Sequence, residues 1–320
     1  MGAFHARTLA PSPLINIVAV ADTNPAAATS LAVEIEAEAV SELSQLSGRS
    51  DIDAWLISTP TTTHPDVVRL AFDAGAHVLC EKPLALDPEE SDELGTQAER
   101  SGLLLQVGFW RRFAPPWAKA KELVDAGAIG RPLLVRLSQW DADPPPASFC
   151  DPASSGGLAI DCGVHEFDLA EWLTGLAVTG VTARALPLVD ETLATVGDVD
   201  NLVAVLDLDG GAVATVDLSR NCRYGDDVRT ELLGSEGALF VDLLPTGSTR
   251  LATATFDGVV PGSETEDAFA SGVLAQAEAF AGAVRGETID LPGARASSRA
   301  VAIGLEVRRA ATGQDDSAAV

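Results

Sequence analysis

Lysine is nearly missing from this chain: among 320 residues it occurs only at Lys82, Lys119 and Lys121. Lysine and arginine together number 21 against 47 aspartates and glutamates, a formal net charge of −26. A surface so poor in cations argues against nucleic acid or anionic membrane as partners, since both need basic patches. The acidity is spread along the chain and not gathered in a tail, so it reads as a solvated surface. Four cysteines, Cys80, Cys150, Cys162 and Cys222, form no C-x-x-C pair. That spacing speaks against a zinc site or a redox couple. Buried, reduced thiols suit a cytoplasmic protein. No apolar run approaches the ~18 residues of a membrane span, and the N-terminus lacks a signal-peptide pattern. Tandem repeats, low-complexity segments, a P-loop and a G-x-S-x-G turn are absent as well.

What is present fits two domains. Hydrophobic residues make up 47%, enough for two cores. The first residues read as a helix that starts abruptly. Strands are predicted at 14–21, around Val40, and at 53–58, 77–80 and 103–108. Helices are predicted at 24–37, 42–46, 64–74 and 88–101. Such alternation predicts an α/β fold with a parallel sheet and helices on both faces. The pattern changes after Phe113. Pro115 and Pro116 open a helix that closes near Gly127. A strand at 132–140, a proline-rich loop at 141–155 and a helix at 157–173 follow. Strands then succeed one another at 178–187, 201–208, 211–219, 228–233, 237–242 and 249–255. With no helices between them, they predict a largely antiparallel sheet. Asp209-Gly210-Gly211 is a hairpin signal. Helices near 266–285 and 293–311 close the chain. The expected domains are 1–113 and 114–320.

Few residues are placed to carry chemistry. HVLCEKP, residues 77–83, is a short buried strand tipped by Glu81, Lys82 and Pro83. It puts a lysine at the carboxyl end of a parallel sheet, the edge where ligands bind in open α/β folds. A plain surface lysine would look the same in sequence. Asp22 ends the 14–21 strand. An acid there accepts hydrogen bonds from adenosine ribose hydroxyls and repels a 2′-phosphate, favouring NAD over NADP. It also sits where it would cap the next helix. Gly2 lies about 20 residues before Asp22, the interval between a G-x-G-x-x-G turn and its acid. If Gly2 is the third glycine, the first strand and two glycines lie upstream of Met1. Asp161 and His165 are four apart, so one helix would present both on one face. A histidine beside a carboxylate suits proton abstraction near neutral pH, although a core histidine and an exposed acid share that spacing. No third or fourth ligand clusters with them, so a metal is not expected. Arg111 and Arg112 follow the last strand of the first half, where they would reach a polar substrate or bridge the domains.

The chain resembles the Gfo/Idh/MocA oxidoreductases, the group of glucose–fructose oxidoreductase and inositol dehydrogenase, nearly end to end. The resemblance is carried by VAVADTNP at 18–25, STPTTTHPD at 58–66, AGAHVLCEKPLAL at 74–86 and QVGFWRRF at 106–113. ELVDAGAIGRP at 122–132, SGGLAIDCGVHEFDLAEWL at 155–173 and GSEGAL at 234–239 continue it. EKP followed by the Asp-x-x-x-His segment is the specific part, and QVGF-x-RRF points to the inositol dehydrogenase side. The resemblance implies an N-terminal Rossmann domain and a C-terminal α/β domain on a large open, mainly antiparallel sheet. It implies hydride transfer between a sugar or polyol and NAD, in a homodimer or homotetramer joined through that sheet. Lys82, Asp161 and His165 match the catalytic residues. Gly2, Asp22, Thr59, Pro60, His64, Glu81 and Lys82 match cofactor positions. Arg111, Asp141 and Tyr224 join Lys82, Asp161 and His165 as substrate positions. Two departures stand out: the glycine turn is incomplete, and Asp226 stands where some inositol dehydrogenases have a substrate-contacting tyrosine. A non-catalytic, ligand-binding relative of the same fold is the alternative expectation.

Overall fold

The computed structural model describes residues 1–186, 188–242 and 247–313. Gly2–Leu9 forms α1, which buries His5 and Leu9. Then come β1 (Ala19–Ala21), α2 (Pro25–Glu34), β2 (Glu38–Val40), β3 (Ala54–Ile57), α3 (His64–Asp73), β4 (His77–Cys80), α4 (Pro88–Ser101) and β5 (Leu105–Val107). All pairings among these strands are parallel, but they fall into two pieces, β1–β2 and β3–β4–β5. Among the described residues no strand joins β1 to β3, and residues 2–9 are helix. The predicted strand 14–21 shrinks to its last three residues. Beyond β1 only the Val18 carbonyl, which accepts the Glu38 N–H, continues the pairing with β2 among the described residues.

Helix signals are obeyed locally. Asn24 accepts the backbone N–H groups of Ala26 and Ala27, with Pro25 at the first helical position. Asp87 and Pro88 start α4 the same way, and Gly102 ends it in the left-handed region at φ 66°.

The second half opens with α5 (Pro115–Asp125) and β6 (Pro132–Trp140). The predicted loop 141–155 contains two short helices, α6 (Ala147–Cys150) and α7 (Pro152–Ser155). The single helix predicted at 157–173 is broken at Cys162 into α8 (Leu158–Asp161) and α9 (Gly163–Thr174). Strands β7 (Val178–Ala185), β8 (Asn201–Leu208), β9 (Val213–Ser219), β10 (Asp227–Gly234), β11 (Gly237–Asp242), β12 (Ser248–Thr253) and β13 (Asp257–Val259) follow. The strand predicted at 178–187 ends at Ala185, and position 187 lies outside the described residues. Helices α10 (Ala268–Val284) and α11 (Ala294–Thr312) finish the chain. The eight strands order as β13-β12-β11-β10-β6-β9-β8-β7, antiparallel except for β6–β9.

One face of this sheet carries the helices. Along β8, Leu202, Ala204, Leu206 and Leu208 are buried, while Val203 and Val205 between them are each 38% exposed. That alternation marks a sheet with one packed face and one open face. Helix α9 runs between the packed face and the first half. Nine of its twelve residues are buried, Glu166 and Asp168 among them. A helix buried nearly all round must pair its charges. Arg111, from the turn after β5, bonds Glu166 and Gln139. Arg112 bonds Asp168 through both carboxylate oxygens, at 2.9 and 2.5 Å.

Candidate active site

Strands β3 and β4 run parallel and in register, so the residues that follow them emerge on one edge. After β3 come Ser58, Thr59 and Pro60; after β4 come Glu81, Lys82 and Pro83. Gly2, at the start of α1, lies against the same edge, and a Cβ there would come within 2.7 Å of Ser58 Oγ. Asp22 follows β1, is exposed, and accepts the Asn24 N–H at 2.8 Å with one oxygen. Its other oxygen makes no hydrogen bond to a described residue, so the helix-start role and a ribose role are compatible. Gly2, Asp22, Thr59 and Pro60 thus lie at carboxyl strand ends and a helix N-terminus, where a dinucleotide fits.

Lys82 crosses to the second half. Its Nζ donates to the carbonyl oxygen of Asp161 at 2.6 Å and to Asp161 Oδ1 at 3.2 Å. Burial opposes its charge, but Asp161, Cys162 and Glu81 outweigh this and hold its pKa above the usual lysine value. The other Asp161 oxygen, Oδ2, faces Arg220 Nη2 at 3.5 Å. Arg220 follows β9, is 1% exposed, and is backed by Asp198 at 3.8 Å and by Cys150 Sγ at 3.0 Å. Asp198 in turn accepts the Leu158 N–H at the start of α8. Gly157 allows that approach, because a Cβ there would fall 2.5 Å from Asp198 Oδ1.

His165 lies one turn beyond Asp161, past the break at Cys162. It is 6% exposed, edge-on to Phe109 and Trp110 with ring centroids 6.3 Å from each. Its Nδ1 is buried without a hydrogen-bond partner among the described residues. Burial pushes its pKa well below the ordinary value, and the charges of Arg111 and Lys82 push it further. A neutral imidazole within reach of the charge of Lys82 is equipped to accept a proton. Asp141 lies nearby, taking hydrogen bonds from Gln139 Nε2 at 3.1 Å and from the Cys162 thiol at 3.3 Å.

Four expected site residues are placed differently. Glu81 does not face outward: it is buried, bonded to His5 Nε2 at 2.6 Å, and it accepts the Lys82 backbone N–H. Burial opposes its charge, but His5 and Lys82 hold its pKa below the usual value. His64 is 1% exposed with both ring nitrogens on protein carbonyls. Arg111 is 3% exposed, locked to Glu166 and Gln139 and lying over Trp110 and Trp117, so it bridges the halves. Tyr224 is 69% exposed, and its hydroxyl donates to Asp227, which raises its pKa. Asp226 accepts the Ala142 N–H at 2.8 Å and ties that turn to Asp141's neighbourhood. Sequence reasoning missed Arg220, Asp198 and His5. The only signal for His5 was a polar residue on the buried stripe of α1, and nothing marked Asp198. Among the described residues, no cluster of three or more metal-ligating side chains occurs, and no helix is long and apolar enough to cross a membrane.

Comparison with known proteins identifies the family. Residues 1–109 match the oxidoreductase family with an NAD-binding Rossmann fold, and residues 117–240 match the GFO/IDH/MocA C-terminal domain. The scyllo-inositol 2-dehydrogenase (NAD(+)) of Bacillus subtilis is 36% identical over 83% of this chain and 78% of its own. A myo-inositol dehydrogenase of Streptomyces leeuwenhoekii is 36% identical over 98% of this chain and 94% of its own. Among solved structures, scyllo-inositol dehydrogenase from Lactobacillus casei, with bound NAD(H) and scyllo-inositol, superposes with a TM-score of 0.83 at 27% identity. That superposition covers 98% of this chain and 94% of the other. An NAD-binding Rossmann half, a large open sheet and a lysine–aspartate contact between the halves thus come together in one chain, which belongs to the Gfo/Idh/MocA oxidoreductase family.

Proposed function

We propose that this protein is an NAD-dependent dehydrogenase of a cyclic polyol of the inositol type, oxidising CH–OH to C=O. The observation that carries the reading is the Lys82–Asp161 contact between the two halves, with neutral His165 one turn away. The names of the relatives supply the substrate class.

In this reading Gly2, Asp22, Thr59, Pro60 and Lys82 hold the cofactor, whose nicotinamide supplies the hydride acceptor. Asp22 would accept the ribose hydroxyls and disfavour NADP by repelling a 2′-phosphate. His165 takes the hydroxyl proton. The Lys82 ammonium stabilises charge developing on the substrate oxygen. Asp161, pinned between Lys82 and Arg220, orients the lysine, and Asp141 binds a neighbouring hydroxyl. The intact lysine, aspartate and histidine favour catalysis over a purely ligand-binding role. The domains are 1–113 and 114–320. A cytoplasmic setting fits four free, buried cysteines. The open face of the eight-stranded sheet would join two or four copies.

The test is a screen of purified protein for NADH formation across inositols and aldoses. An inositol should give the highest kcat/KM, with NAD preferred over NADP and the preference reduced by Asp22→Ala. Reduction of neither cofactor by any polyol would sink the reading.

A further inference from the structure

His64 opens α3, is 1% exposed, and joins two loops that its own helix does not contain. Nδ1 lies 2.8 Å from the carbonyl oxygen of Pro83, and Nε2 lies 2.9 Å from that of Thr59. Carbonyl oxygens only accept. A neutral imidazole carries one N–H, so its second nitrogen would turn a lone pair on a carbonyl at hydrogen-bond distance. Only the imidazolium, with two N–H groups, satisfies both contacts.

The surroundings set the proton against competing influences. Burial opposes the charge most, and Lys82 opposes it too, while the two carbonyls and Glu81 favour it; the balance leaves the pKa below the ordinary imidazole value. On its own helix, Asp66 and Arg69 pair with each other at the surface, and Glu90 of α4 also pairs with Arg69. Glu81 and Lys82 are therefore the charged groups that act on the ring.

We propose that His64 is a positioning residue: protonated, it ties the Thr59–Pro60 loop to the Lys82–Pro83 turn, and neutral, it releases one of them. Both tied segments lie at the strand ends assigned above to the cofactor and the reacting hydroxyl. Losing either carbonyl loosens the site without removing any group that touches a ligand. The affinity part of the inference rests on the NAD reading; the protonation part does not.

The protein has four histidines, so its ring nitrogens are resolvable by 15N-histidine NMR. The His64 signals can be assigned from contacts to Pro83 and Thr59 in the parent protein. Titration from pH 5 to 9 should show both His64 nitrogens protonated at the acid end and one proton lost as pH rises. A single protonated nitrogen throughout the folded range overturns the proposal. In parallel, calorimetry of NAD binding should show affinity falling about three- to tenfold as pH rises through that midpoint, the size of one hydrogen bond. His64→Asn, with no titrating ring, should bind NAD with no such step. An identical step in His64→Asn overturns the coupling. Absence of NAD binding at any pH would count against the cofactor reading and leave the NMR result to decide the clasp.

Discussion

A carboxylate that receives a lysine from one half of a chain and an arginine from the other has little freedom to turn. Asp161 is in that position, which in the proposed mechanism leaves proton acceptance to His165. A general base contributes about 10²–10⁴-fold, so His165→Ala should lower kcat by that factor while NAD affinity changes little. Lys82→Arg should not rescue Lys82→Ala, because a forked guanidinium does not replace a compact ammonium. The pKa of His165 bears on activity and on stability. Because it lies below the ordinary value, kcat/KM should hold steady on acidification past the usual histidine midpoint near 6.5. A fall centred on 6.5 and abolished by changing His165 would contradict this. For stability, the unfolded chain takes up the proton first, so nothing is lost above about pH 6.5. Stability then declines as pH falls toward the folded pKa, which urea denaturation at several pH values would record. Lys82, Asp161 and His165 were legible because each sits in a motif with a chemical reason for its spacing. Glu81 and His64 lie in equally clear motifs, yet their side chains face inward. Motif position fixes the backbone place of a residue and leaves its side-chain direction open.

At the scale of elements, α9 is fixed by Arg111–Glu166 and Arg112–Asp168, which join it to the turn after β5. Breaking a buried pair from one side strands a charge, at a cost of about 3–5 kcal/mol. Arg112→Leu should therefore lose that much in urea unfolding, since Asp168 is 3% exposed in its side chain. The double variant Arg112→Leu/Asp168→Leu should recover most of it. Equal losses in the single and double variants would show that packing, not the stranded charge, is responsible. Strand–helix alternation made most elements readable. The break at Cys162 was not, because GGLAIDCGVHEF carries no proline and its glycines suit a helix start as well as an interruption. Arg220 escaped notice for a similar reason: an arginine ending an alternating strand looks like a surface residue until the loops fold over it.

For the whole molecule, the open sheet face sets the expected assembly. Val203 and Val205 lie on that face, so in the proposed assembly Val205→Lys should shift the distribution toward monomer in sedimentation velocity, with folding unchanged by circular dichroism. An unshifted distribution would place the interface elsewhere. The change of pattern after Phe113 revealed two kinds of sheet. Among the described residues the parallel strands fall into two pieces, β1–β2 and β3–β4–β5. That division has a kinetic consequence. Among the described residues β1 and β2 pair only with each other, and the ion pairs that tie residues 19–40 to the rest, Arg7–Glu34 and Arg49–Glu38, are on the surface, while Val40 reaches the main core. The β1–α2–β2 segment should open as its own cooperative unit, exchanging amide hydrogens well before β3–β5. Asp22 rides on this segment, so a bound dinucleotide would act as a latch, slowing exchange across residues 19–40 more than anywhere else in the chain.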